Sequence, residues 1–169
     1  MGRGKKKRNK HRQRQSGSYD ESRTDQVKAF FKAARDGYKA GIRQFLATGG
    51  DINERTRSGQ TVLMQYRLTP EMNRFLISLK ADVNAQDNSG MSVLACQCIA
   101  PCFGFIPPDF DKVRVLLEAG ASPALRDNRG RDLEAQVYSM VCSGLEAGEA
   151  KHLMEFIRAN AEPVSNRRS

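Results

Sequence analysis

The chain has no tryptophan, two histidines among 169 residues, and no acidic side chain among its first nineteen positions. It also lacks any apolar run near the roughly 20 residues that cross a bilayer. The basic N-terminus is not followed by an apolar stretch, so it does not read as a secretory signal. Gly2 stands where an N-myristoyl acceptor would, but Lys6 occupies the place of the required Ser or Thr. These absences predict a soluble intracellular protein without membrane insertion, cytoplasmic or, in a cell that has a nucleus, nuclear.

Catalytic signals are equally sparse. His11 lies in the basic N-terminus and His152 on a polar C-terminal helix, and neither has a neighbour that would orient it as a general base. No glycine-rich phosphate loop follows a strand. Cys96, Cys98, Cys102 and Cys142 do not make the paired spacing that structural zinc requires. They read as reduced thiols, Cys96 and Cys98 in a packed helix. The sequence therefore assigns no catalytic residue, no metal ligand and no cofactor, and predicts a non-enzyme.

Positive charge is abundant and uneven. The formal net charge is +9, and Arg3, Lys5, Lys6, Lys7, Arg8, Lys10, Arg12 and Arg14 crowd the first nineteen residues. The remaining 20 basic residues stand against 19 acidic ones, so the excess belongs to the tail. Residues 1–23 hold no aliphatic side chain larger than Met1 and cannot bury enough to offset their ordering entropy, which predicts a disordered basic tail. Its cations suit a nuclear localisation signal, a phosphate contact to nucleic acid, or a solubilising arm. Apart from Tyr19 it has no interleaved aromatics for base stacking, which argues against sequence-specific recognition.

The body is organised by a recurring phrase. Phe45–Asn53, Leu76–Asn84 and Leu116–Ala124 each run from an apolar helix end through a turn to a short polar closing, at intervals of 31 and 40 residues. Downstream of each phrase comes a second one: Arg57-Ser58-Gly59-Gln60-Thr61-Val62-Leu63, Asn88-Ser89-Gly90-Met91-Ser92-Val93-Leu94 and Asn128-Arg129-Gly130-Arg131-Asp132-Leu133. Fixed-period self-similarity of this kind is the signature of stacked repeat architectures.

With Ala33-Ala34-Arg35-Asp36-Gly37 upstream, and Leu116-Leu117 with Gly120-Ala121 further on, these phrases resemble the ankyrin repeat family over about residues 25–162. The resemblance implies an all-α solenoid of about four helix-turn-helix repeats with short hairpin loops. The repeats lie near 25–54, 55–85, 86–125 and 126–162, within a domain spanning 24–163, and 164–169 form a frayed end. The family's Thr-Pro-Leu-His is replaced by Thr61-Val62-Leu63-Met64 and Ser92-Val93-Leu94-Ala95. Thr61, Ser92 and Asp132 remain as helix caps, but the bracing histidine is gone.

Local signals then place the helices. Asp25 favours a start for the first, with Val27, Phe30, Phe31 and Ala34 at helical spacing and Gly37 as its end. Ile42, Phe45 and Leu46 give the second its buried face. Thr61–Tyr66 predicts a short helix, and Thr69-Pro70 predicts the start of the next, lined by Met72, Phe75, Leu76 and Leu79. The third repeat carries nine extra residues, mostly within 101–110. Phe103, Phe105 and Phe110 of that insertion either fold back over the helices or form a partner loop. In the fourth repeat Leu133, Val137, Met140, Val141, Leu153, Phe156 and Ile157 read as core, and Lys151, Glu155, Arg158, Asn160 and Glu162 as the polar outer face of a cap.

The family resemblance implies binding of a partner protein through the concave repeat face and the hairpin tips. The tips carry Arg55, Arg57, Asn88, Arg126 and Arg129, with Arg131 just behind, and suit an acidic partner surface. Solvated tips with no dedicated partner are the competing reading. The overall expectation is a monomeric interaction module whose tail supplies localisation or electrostatic attachment. The alternative is a nucleic-acid-associated protein whose tail binds phosphates while the repeats recruit a partner.

Overall fold

A computed structural model describes residues 21–99, 108–139 and 147–161. The described residues are helical: α1 (Glu21–Arg35), α2 (Lys39–Ala47), α3 (Pro70–Ser78), α4 (Val93–Ile99), α5 (Phe110–Glu118), α6 (Leu133–Ser139) and α7 (Ala147–Asn160). A 3-10 turn, Val62–Met64, lies between α2 and α3. No strand forms among the described residues; one antiparallel bridge pairs Gln86 with Ser92.

α1 starts at Glu21, earlier than the expected start at Asp25 and inside the expected tail. Arg23 reaches Glu54 from this first turn at 2.9 Å, a contact that only the extra turn makes available. The rest follows the apolar spacing. Phe30, Phe31, Ala33 and Ala34 are buried, and the Phe30 ring stacks on Phe45 of α2 with centroids 4.4 Å apart.

One turn recurs after three helices. Gly50 N–H donates to Phe45 O, Ala81 N–H to Leu76 O and Ala121 N–H to Leu116 O, at 2.9 to 3.1 Å. Each of these 6→1 bonds needs a left-handed residue just before its donor. Gly49 (φ +87°) and Gly120 (φ +90°) supply it freely, whereas after α3 the position is Lys80 (φ +71°). The Asp51 and Asp82 carboxylates then accept from Asn53 and Asn84 N–H, and Asn53 Oδ1 accepts from Asp82 N–H at 2.8 Å. Asn84 repeats the bond to Ser122 N–H.

Packing runs along two lines. α3 packs on α5 and α5 on α7; the 3-10 turn packs on α4 and α4 on α6. A single cluster of buried side chains passes through all of them, from Phe30 to Ile157. Ile42, Asn73 and Val113 occupy matching positions of α2, α3 and α5, and each is fully buried. The Asn73 carboxamide has no hydrogen-bond partner at either end.

The expected helix Thr61–Tyr66 is a correction: only Val62–Met64 coil, and Gln65 is extended. The Gln97 amide of α4 donates to Leu63 O at 2.7 Å and to Gln65 O at 3.0 Å, so a side chain takes carbonyls that a longer helix would have used itself. Thr61 stands in a capping-box arrangement with Met64, whose Sδ accepts from Thr61 N–H at 3.4 Å, but its own hydroxyl is buried and closes no hydrogen bond on the turn. Ser92 and Asp132 do cap, accepting from Ala95 and Ala135 N–H. Thr69 accepts from Met72 N–H ahead of Pro70, as its spacing predicts.

α4 is buried along its whole length, Val93 to Ile99. Cys96 and Cys98 are therefore packed and free of disulfides. Burial, with the Asp87 charge adding to it, pushes the Cys96 thiol up to about 12, far from nucleophilic. Cys102 and Cys142 lie outside the described residues.

Candidate partner-binding cleft

Three tips of the same construction follow the turns. Thr56, Asp87 and Asp127 N–H groups donate to Gln60, Met91 and Arg131 carbonyls, and Gly59, Gly90 and Gly130 N–H groups donate back across each loop. Asp87 Oδ1 accepts from Ser89 and Met91 N–H, and Asp127 Oδ1 from Arg129 and Arg131 N–H. Burial opposes the charge of Asp127, but these bonds and the Arg131 guanidinium outweigh it and hold its carboxyl below the usual range.

The tips are tied to one another by their side chains. Asn88 donates from its backbone to Ser58 O and from its amide to Arg57 O, each at 3.0 Å. Asn128 does the same to Ser89 O and Asn88 O. Gly59 and Gly90 sit under these bonds: a Cβ there would come within 2.7 Å of Asn88 N and 2.6 Å of Asn128 N, respectively, and φ is already positive. Gly130, in the last tip, faces nothing.

The proposed binding residues divide on this geometry. Arg55 Nη1 donates to Gly59 O at 2.9 Å and to Gln86 O at 2.6 Å. Arg126 donates to Gly130 O and pairs with Asp132. Arg131 clamps Asp127 and reaches Ser139 Oγ, and Asn88 is the rung just described. These four side chains hold tips in register. Arg57 and Arg129 are exposed and make no side-chain hydrogen bond or ion pair among the described residues. Phe110 packs at its ring edge on Phe156, centroids 4.9 Å apart, and tilts over His152. Phe103 and Phe105, and the tail cations Lys5, Lys6, Lys7, Arg8, Lys10, Arg12 and Arg14, lie outside the described residues.

α4 is covered throughout and presents no open face. A cleft of about 940 Å³ lies between α1 and the first tip, lined by Arg23, Lys28, Arg35, Arg55 and Arg57 with Glu54 as its one acid. Thr24, Val27, Lys28, Phe31 and Arg35 share one stripe of α1 by their spacing of three and four. Arg55 and Arg57 were legible as tip residues. Arg23, Lys28 and Arg35 were not singled out; the seven-residue spacing of Lys28 and Arg35 was a signal for those two, whereas Arg23 fell inside the expected tail.

Electrostatically the walls differ. Arg23 is paired to Glu54 and Lys28 to Asp25, whereas Arg55 bonds only to neutral carbonyls. Arg35 and Arg57 are exposed and meet no carboxylate among the described residues. Low-dielectric walls around unpaired cations focus their field into a cleft. Such an arrangement attracts and orients anions. Among the described residues no group of three His, Cys, Asp or Glu could hold a metal ion, and no helix is long and apolar enough to cross a membrane.

No protein-family model matches the chain. Part of it is similar to a Danio rerio protein whose name, palmitoyltransferase ZDHHC13, is itself a provisional assignment: the two are 37% identical over 101 residues, 56% of this chain. The chain spans only 15% of that relative's length, so the likeness is to one segment of a much larger protein.

Proposed function

We propose that the chain is a non-enzymatic interaction module of the ankyrin repeat type, about four repeats preceded by a disordered basic tail. It binds a protein partner with an acidic surface. The recurrence of the same turn and the same tip, tied to each other at every step, supports the repeat reading. The observation that carries the binding reading is the cationic cleft between α1 and the first tip, where Arg35 and Arg57 meet no carboxylate. Palmitoyl transfer, which the name of the similar Danio rerio protein prints, is not assigned to this chain, which spans 15% of that protein's length.

The tail adds localisation or electrostatic attachment. The eight cations of residues 1–19, with no carboxylate among them, favour a second reading in which the tail contacts nucleic-acid phosphates and the repeats recruit a partner. Affinity capture with the full chain and with a Lys5, Lys6, Lys7→Gln variant, each with and without nuclease, separates them. Protein capture that survives both nuclease and tail neutralisation is expected. Loss of every protein partner on nuclease treatment overturns the module reading in favour of the second.

A further inference from the structure

Neutral groups of the cleft are as informative as its charges. Gln60 and Gln65 line it half-buried, and neither carboxamide engages a partner among the described residues. Each offers both a donor and an acceptor. On the facing walls Arg35 and Arg57 each offer a fork of N–H donors matched to a carboxylate. Unengaged amides beside unengaged guanidiniums are the complement of a polypeptide backbone that carries acidic side chains.

Alternatives fit less well. Nucleic acid would want exposed rings on which bases stack, and the only ring lining the cleft, Phe31, is 6% exposed. Residues 1–19 of the chain itself, with eight cations and no acid, have the wrong charge for it. The acid already present, Glu54, is held by Arg23 at 2.9 Å and shows what this cleft accepts.

We propose that the cleft between α1 and the first tip binds an extended acidic segment of a partner protein, with its carboxylates on Arg35 and Arg57 and its backbone on Gln60 and Gln65. This rests on the module reading above and specifies its ligand. Aspartate or glutamate side chains at alternate residues of an extended segment share one face and supply the anions.

The test is fluorescence anisotropy on the full chain with a short labelled peptide alternating Glu or Asp with small apolar residues. Its Gln/Asn counterpart and a single-stranded RNA of similar length serve as comparison probes. Arg35→Gln and Arg57→Gln remove the anchors. Neither side chain has a polar partner to lose, so both variants should keep the parent's unfolding midpoint. Arg74→Gln, exposed on α3 outside the cleft, and Lys5, Lys6, Lys7→Gln are the charge controls.

Each anchor variant is expected to weaken the acidic peptide about tenfold, the scale of an interface hot spot. The two controls should stay within about twofold, and the Gln/Asn peptide should not bind. Equal losses in Arg74→Gln or the tail variant would mean diffuse attraction and overturn the assignment. So would RNA binding that depends on Arg35 and Arg57 as the peptide's does. Protein capture that persists in the Arg35→Gln, Arg57→Gln double variant overturns the cleft assignment while leaving the module reading in place.

Discussion

The carboxamide of Gln97, buried in α4, donates to the carbonyl oxygen of Leu63 at 2.7 Å. A second bond to Gln65 O at 3.0 Å makes the same amide the terminator of the 3-10 turn. Replacing Gln97 by Leu removes both donors and leaves a buried carbonyl at Leu63 without a partner. The expected cost is about 1–3 kcal/mol, read as a lower urea midpoint at unchanged slope.

Asn73 should behave in the opposite sense. Its side chain is fully buried at the helix position that Ile42 holds in α2 and Val113 in α5, with both polar atoms unpartnered. Asn73→Val exchanges that desolvation penalty for an apolar contact. A gain of about 1–3 kcal/mol is expected in urea unfolding; a loss would mean that the amide is satisfied in solution.

Lys80 occupies, at φ +71°, the position that Gly49 and Gly120 fill after the other two helices. A left-handed non-glycine residue costs on the order of 1 kcal/mol. Lys80→Gly is expected to raise the melting temperature by a few degrees, and Gly120→Ala to lower it by a similar amount.

Asp127 gives a pH dependence of definite sign. Its folded carboxyl is held below the ordinary value, so its contribution to stability is complete above about pH 4, the unfolded value. It is lost as pH falls through the lower folded value. Asp127→Asn should therefore be less stable than the parent at neutral pH, and that difference should shrink on acidification below about pH 4 in urea titrations.

Arg55 and Arg57 separate holding from binding. Arg55→Gln loses bonds to Gly59 O and Gln86 O and is expected to destabilise by about 1 kcal/mol. Arg57→Gln should leave the midpoint where it was. Equal destabilisation of both would mean that Arg57 also braces the tip.

These results locate what the chain's pattern can and cannot convey. Helix faces were legible because burial follows spacing: Phe30, Ile42, Leu76, Leu133 and Ile157 all lie where apolar periodicity puts them. Turns were legible because Gly49 and Gly120 answer a local backbone need. The truncated helix after Thr61 was not, since its cause, Gln97, is thirty-four residues away from Leu63. The tips misled for a similar reason: arginine reads as exposed and available, yet Arg55 and Arg126 are committed to carbonyls of their own tips, and Arg55 also to one of the next. Charge shows which residues attract anions, but only geometry shows which remain unengaged.

The burial of α4 has a consequence for how this protein can be followed in time. Cys96 and Cys98 are 4% and 1% exposed, and the Cys96 thiol keeps its proton at any ordinary pH. Their alkylation must wait until the segment around them opens. The rate at which a thiol reagent modifies these two positions therefore clocks that opening, and a bound partner that tightens the stack will slow the clock without touching either sulfur.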